Sequence, residues 1–203
     1  MRSSLRTFAL LVAAALPALA GDTYRIDPVH SEISFKVRHF LSKTPGHFAR
    51  FQGTIQIDDK AIDKSSVDVT IDAASISTDN EGRDKHLKSP DFFDVEKFPT
   101  ITFKSTAVKE VAKGKLEVTG DFTMHGVTKR ITFPITNLGT QASPMGVRAG
   151  FVDGALKVNR KDFGVLWNKV LDNGGTMLSD DVDIFLNVEA VKVMPKPEAA
   201  PAK

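Results

Sequence analysis

From Asp22 to Val193 the chain alternates apolar and polar residues with period two. That period admits β-strands with one buried and one wet face and little else. Ile33, Phe35, Val37 and His39 share one phase, with Glu32, Ser34, Lys36 and Arg38 in the other. The pattern recurs at Phe51, Gly53, Ile55 and Ile57, at Val67, Val69 and Ile71, and at Ile101 and Phe103. It continues through Leu116, Val118, Gly120, Phe122 and Met124, then Val127, Ile131, Phe133 and Ile135, then 145–158, and last Val182, Ile184, Leu186, Val188 and Ala190, which makes eight long strands. Lys113-Gly114, His125-Gly126 and the Gly139 to Gly146 segment read as hairpin connections. Sequential antiparallel pairing is the simplest topology.

Two stretches interrupt the strands. Asn80 to Ser89 is polar and rich in helix formers, and Pro90-Asp91-Phe92-Phe93-Asp94 follows it; this predicts a short helix running into an aromatic loop. Asn159 to Gly175 holds Arg160, Phe163, Gly164, the only tryptophan, Trp167, and a Gly174-Gly175 turn, which predicts a long loop or helical turn. Long connections inside a compact domain are usually functional or disordered. The bulky apolar residues in these two favour function.

Eight amphipathic strands close as a barrel or stack as two sheets, and a barrel of that size is either filled by side chains or holds one small ligand. The aromatic composition bears on which: 14 Phe stand beside one Trp and one Tyr, and Phe brings area without a hydrogen bond to satisfy. Gly53 and Gly120 fall at inward positions. They either relieve strain where the sheet coils or hollow a lumen lined by Phe35, Phe51, Phe103, Phe122 and Phe133. An apolar lumen implies an apolar guest.

The N-terminus points outside the cytoplasm. Arg2 and Arg6 precede the apolar run Phe8 to Leu16, and Ala18-Leu19-Ala20 closes it, the pattern of a signal peptide cleaved after residue 20. The alternative, a membrane anchor, needs about 20 apolar residues, more than the run supplies. The expected organisation is a signal peptide over 1–20, a β domain over 21–193 and a Pro-rich disordered tail over 194–203, in a periplasmic protein. Without Arg2 and Arg6 the chain has 25 basic and 25 acidic residues, so neither nucleic acid nor an anionic membrane is favoured by net charge. The absence of Cys removes disulfides, thiolate metal sites and thiol nucleophiles.

Short motifs then resemble one family. Asp27-Pro28-Val29-His30-Ser31, followed by Phe35, Val37 and His39, is similar to the opening D-x-x-H-S strand of the YceI-like family, and Gly46-His47-Phe48 with Phe51 and Gly53 resembles its second strand. Ile76-Ser77-Thr78, the run Arg83 to Asp94, Phe98-Pro99 and Phe103 resemble the family's most specific stretch; Met124 to Thr128 and Arg160 to Gly164 resemble two later motifs. The resemblance spans Thr23 to Val193. It implies an all-β, eight-stranded antiparallel lipocalin-like barrel with one or two short helices capping an end. It also implies a polyisoprenoid or isoprenoid quinone bound in the lumen as a carried lipid, with no covalent cofactor. The Gly-x-Trp signature of lipocalins proper is missing from the first strand, so that link is architectural only.

Enzyme chemistry has little to stand on. His30, His39, His47, His86 and His125 are too scattered for a local zinc motif, and there is no G-x-S-x-G elbow or glycine-rich phosphate loop. His39, on the apolar face, reads as a buried imidazole, and His125 as a turn residue. Arg83-Asp84 and Arg160 read as rim ion pairs, or alternatively as contacts for a ligand's polar head. Phe92 and Phe93 read as a plug, or as a gate. The expected ligand-binding residues are Phe35, Val37, His39, Phe51, Val69, Phe92, Phe93, Phe103, Phe122, Met124, Ile131, Phe133, Phe163 and Trp167, with no catalytic or metal-binding residue. The leading expectation is a carrier of a long apolar lipid. Behind it stand an enzyme folding an apolar substrate, with His39 or His125 as acid or base, and a filled barrel serving as an interaction module. Partners other than the lipid reduce to a homodimer, left open; no nucleic acid and no integral membrane insertion are expected.

Overall fold

The computed structural model describes residues 21–172 and 175–194. The expected signal peptide, and all of the expected tail but Met194, lie outside the described residues. The strands are β1 (Asp22–Ile26), β2 (Glu32–His39), β3 (Ser42–Phe48), β4 (Phe51–Ile57), β5 (Ser66–Asp72), β6 (Ile76–Ser77), β7 (Thr100–Ala112), β8 (Lys115–Met124), β9 (Val127–Ser143), β10 (Gly146–Asn159) and β11 (Leu178–Lys192). One helix, α1 (Glu81–Lys88), and 3₁₀ turns at Ile62–Lys64, Ala73–Ser75 and Arg160–Phe163 complete the described elements.

These segments form eight staves of one closed antiparallel barrel. The upper part of β11 pairs with β1 (Ile26↔Ala190) and its lower part with β2 (Ile33↔Leu186). β4 and β3 pair with the same two segments on the other side. Hence β1 and β2 are one bent stave, as are β3 with β4 across Ala49-Arg50 and β5 with β6. β7 through β11 follow in sequence order, and the β1–β11 ladder closes the ring. The period-two expectation therefore arrives at eight by a different route: it omits β1, β3 and β6, which are short or interrupted, and the staves are completed by joining segments. β3 carries Pro45 and Gly46, which dilute the strand signal.

Alternation sets the inside. Along β8, Leu116, Val118, Gly120, Phe122 and Met124 are buried while their neighbours are not, and a one-residue slip would exchange the two sets. The β8–β9 hairpin turns on His125 and Gly126, at φ 52° and 75°, the left-handed pair that a two-residue turn between right-twisted strands requires. The third expected hairpin is shifted. Gly139 lies inside β9 at a bulge opposite Gly150, and the turn itself is at Pro144-Met145. The β9–β10 ladder ends at Val152↔Thr136, so the first half of β9 is laddered to β8 alone among the described residues. Pro134, with no N–H to give, is tolerated there.

A polar clasp holds the bend between β1 and β2. Ser31 Oγ donates to the Glu189 carbonyl at 3.1 Å and accepts from the Glu189 N–H at 2.9 Å. Asp27 takes the Val29 N–H, the His30 ring and the Arg148 guanidinium, the last two at 2.9 Å, and Arg148 also reaches Glu189. Asp27, His30 and Glu189 lie close enough to hold a cation, but Arg148 already supplies that charge. The His30 hydrogen bond, supported by Arg148, lowers the Asp27 carboxyl to about 2. A carboxyl depressed on folding stabilises the fold above its unfolded pKa, and that stability is lost as pH falls through the folded value. Asp27→Asn is expected to weaken the fold at pH 7 by on the order of 1–2 kcal/mol and to flatten the acid lability between about pH 4 and pH 2. Denaturant titrations across that range check it; parallel stability curves for the two proteins would contradict it.

Candidate functional site

The barrel encloses a cavity of about 460 Å³, the size of a small-molecule pocket. Thirteen of the fourteen residues singled out from the sequence line it: Phe35, Val37, His39, Phe51, Val69, Phe92, Phe93, Phe103, Phe122, Met124, Ile131, Phe133 and Trp167. Strand phase brings the first five and the group from Phe103 to Phe133 together; the others come from the connections. Rings meet across the lumen wall, with centroids 5.9 Å apart for Phe35 and the neighbouring Phe48, 5.4 Å for Phe103 and Phe133, and 6.0 Å for Phe48 and Phe93 of the covering connection. Most of the wall is Phe, Ile, Leu and Val, with few polar side chains among the lining residues.

Phe163 is the exception. It is 2% exposed but does not border the cavity. Its ring packs edge-on against Phe122 at 5.4 Å, and its carbonyl meets the His125 ring at 3.1 Å. It therefore fills the space beneath the β8–β9 turn, with Phe122 between it and the lumen. His39 also departs from expectation, because it lines the cavity yet is exposed. It is the last residue of β2, where the inward phase meets the open end of the hairpin and not the core.

One end of the barrel is covered by the two non-strand connections. Asn80 caps α1 by accepting the Arg83 N–H at 2.9 Å, and basic residues occupy the last turn of the helix, both stabilising. The neighbouring Arg83 and Asp84 do not pair with each other. Both grip buried Thr78: Asp84 accepts its N–H at 2.8 Å and its hydroxyl at 2.5 Å, while Arg83 donates to its Oγ1 and carbonyl, each at 2.7 Å. His86 on α1 stands edge-on to Phe92 and Trp167, both centroids 5.0 Å away, and Phe92 and Trp167 are 5.1 Å apart. Its Nε2 meets Asp91 at 2.8 Å. Arg160, 5% exposed, fixes the second connection by donating to the carbonyls of Val165 (2.7 Å), Trp167 (2.8 Å) and Ser179 (3.0 Å), with Asp180 at 3.3 Å. Burial pushes its guanidinium pKa down and Asp180 opposes that. The rim ion pair expected at Arg160 exists, but its main work is to satisfy carbonyls.

The inward glycines seat the wall instead of hollowing it. A Cβ at Gly120 would lie 2.5 Å from the Lys104 carbonyl oxygen and 2.5 Å from the Phe103 ring, and one at Gly53 would lie 2.5 Å from the Asp68 carbonyl oxygen. Close approach of neighbouring staves is the reason for both. At Gly120 the space goes to a phenyl ring of the lining.

Sequence reasoning missed part of the lining. Ile184, Leu186 and Val188 of β11, and Leu156 and Val158 of β10, border the cavity, and their alternation was the signal that could have found them. Phe48 and His86 border it as well, but nothing local marks them, because β3 and α1 turn inward only through the fold. Among the described residues no histidine ring is hydrogen-bonded to a serine or threonine hydroxyl. His125, bonded to a backbone carbonyl and with its ring tilted against Phe98 at a centroid distance of 4.5 Å, serves the turn.

The profile described as YceI-like domain matches residues 24–190. A UPF0312 protein of Vibrio parahaemolyticus is 41% identical over 198 residues, which are 95% of this chain and 100% of that one. Among solved structures, BcnA of Burkholderia cenocepacia superposes with a TM-score of 0.73 at 26% identity, covering 82% of this chain and 99% of its own. A polyisoprenoid binding domain from Saccharophagus degradans, implicated in plant cell wall breakdown, superposes with a TM-score of 0.60 at 14% identity, covering 84% and 98%. At that identity the likeness is one of fold.

Proposed function

This chain belongs to the YceI-like domain family, and on that premise we propose that it binds an apolar lipid in its lumen and carries it as a periplasmic protein. The observation that carries this is the closed barrel's cavity, about 460 Å³ with a wall of Phe, Ile, Leu and Val. Such a wall discriminates by shape and area: at about 25 cal/mol per Å², a few hundred Å² of chain taken out of water contributes several kcal/mol without any polar contact. An isoprenoid chain, free or on a quinone, suits a lumen of this kind, and the polyisoprenoid binding of the Saccharophagus degradans domain agrees with it. The end covered by α1, Phe92, Phe93 and Trp167 acts as the gate, since loops over a rigid scaffold are where such function sits. The Arg2, Arg6 and Ala18-Leu19-Ala20 pattern supports export.

Mass spectrometry of protein purified from a periplasmic extract tests both parts. The expected result is an intact mass beginning at Gly21 and a stoichiometric isoprenoid in the organic phase. An uncleaved chain that begins at Met1 and is recovered only in the membrane fraction overturns export with cleavage, a lipid-free extract with no later uptake overturns carriage, and turnover of the lipid favours an enzyme.

A further inference from the structure

We infer that the guest enters and leaves the lumen sideways, between the free edge of β3 and the first turn of α1, and that Gly82 keeps this passage open. The inference rests on lumen binding and locates the passage within the covered end. Among the described residues that border the cavity, only His39, Gly82 and Arg83 are exposed. An exposed lining residue marks where a lumen meets solvent. At the opposite end Ile62, Ser65 and Asn137 line the cavity half-buried, and Val108 and Leu116 line it buried, so that end is shut. The rest of the covered end is shut as well, since Phe92 is buried against Trp167 and Arg160 holds the Trp167 carbonyl.

The strand ladder is interrupted at the same place. β3 pairs with β2 from Ser42 to His47, but on its other side only His47 and Phe48 are paired, with Ser77 and Ile76 of β6. The chain leaves the sheet after Ser77 and begins α1 at Glu81. Ser42 to Gly46 therefore form an edge with no ladder partner on that side among the described residues, and Thr44 of this edge borders the cavity. No backbone ladder has to break for a chain to pass there.

Gly82 is the remaining observation. It does not adopt a positive φ, and a Cβ there would meet nothing nearer than Asn80 Oδ1 at 3.6 Å, an ordinary contact. At Gly53 and Gly120, by contrast, a Cβ would lie 2.5 Å from a backbone oxygen. Neither conformation nor packing asks for glycine at 82, and glycine in a helix costs stability relative to alanine through backbone entropy. A glycine that the fold does not need, at the exposed border of an apolar cavity, leaves room for the guest.

The test is the time course of uptake and release of geranylgeraniol by the delipidated chain, read as lipid bound per protein. The chain has no Cys, so Gly82→Cys takes a bulky maleimide at one place only. The labelled variant is expected to exchange lipid about tenfold more slowly or worse, as gating segments set such rates, and to reach the wild-type stoichiometry. Gly82→Trp should do the same without a label. Lys64→Cys, labelled at the opposite end, should exchange as wild type does, and Gly82→Ala should raise Tm while exchanging at close to the wild-type rate. A label that lowers stoichiometry by occupying the lumen itself also places residue 82 on the passage. Wild-type rates in both blocked variants, or equal slowing by the label at Lys64, overturn the passage and leave lumen binding untouched. Loss of stability in Gly82→Ala gives the glycine a structural role and overturns it too. No uptake by wild type removes lumen binding, and the passage with it.

Discussion

Phe122→Arg is expected to lower retention of the apolar ligand by about 100-fold or more, because it places a guanidinium where a desolvated charge costs several kcal/mol. Phe122 is buried, borders the cavity and is backed by Phe163, so the new side chain has no route to water except along the lumen, where it occupies the guest's space. The loss of ring packing adds about 3 kcal/mol of destabilisation, which leaves a folded fraction to assay. Delipidated wild type and variant, loaded with the same isoprenoid and compared by bound lipid per folded chain, give the readout. Equal retention by folded Phe122→Arg would place the ligand elsewhere.

Arg160→Met is expected to reduce stability by about 3 kcal/mol, a fall in Tm of roughly 6–12 °C for a domain of this size. Methionine nearly keeps the apolar stem, but it removes every donor to the carbonyls of Val165, Trp167 and Ser179 and leaves them orphaned in a buried site. Arg160→Lys should recover only part of this, since one ammonium cannot reproduce a planar fork that serves separate acceptors. The damage should centre on the covered end. Trp167, the only tryptophan, packs on His86 and Phe92, and its emission should shift to the red as its segment loosens, with faster ligand exchange. Calorimetry and fluorescence check the two effects; a fall in Tm without any change at Trp167 would mean that Arg160 does not anchor that segment.

The legible part of the site was the part carried by strand phase. In β8 every second residue from Leu116 to Met124 is inside, because a strand's own geometry sends alternate side chains to opposite faces whatever its neighbours are. The turn at His125-Gly126 and the short helix expected near Asn80 to Ser89 were legible for the same reason, being settled within a few bonds. Phe163 shows the limit: it is as apolar as its neighbours, yet lies behind Phe122 because the 3₁₀ turn at Arg160–Phe163 packs under β8. His39 shows another, since its phase is inward but the strand ends there.

The sequence by itself determined the eight long periodic strands, the identity of most inward faces, the two non-strand connections and the dryness of the interior. All of these follow from local periodicity and composition, which do not depend on what pairs with what. Only the tertiary structure decided that Asp22–Ile26 and Glu32–His39 are one bent stave, that inward glycines seat neighbouring strands and a ring, and that Arg83 and Asp84 share Thr78. It also decided that His86, Phe92 and Trp167 converge from separate connections over one end. These are facts about closure: residues 80 or more positions apart along the chain, such as His86 and Trp167, meet only when the ring of strands has shut, and no local pattern encodes the distance between them.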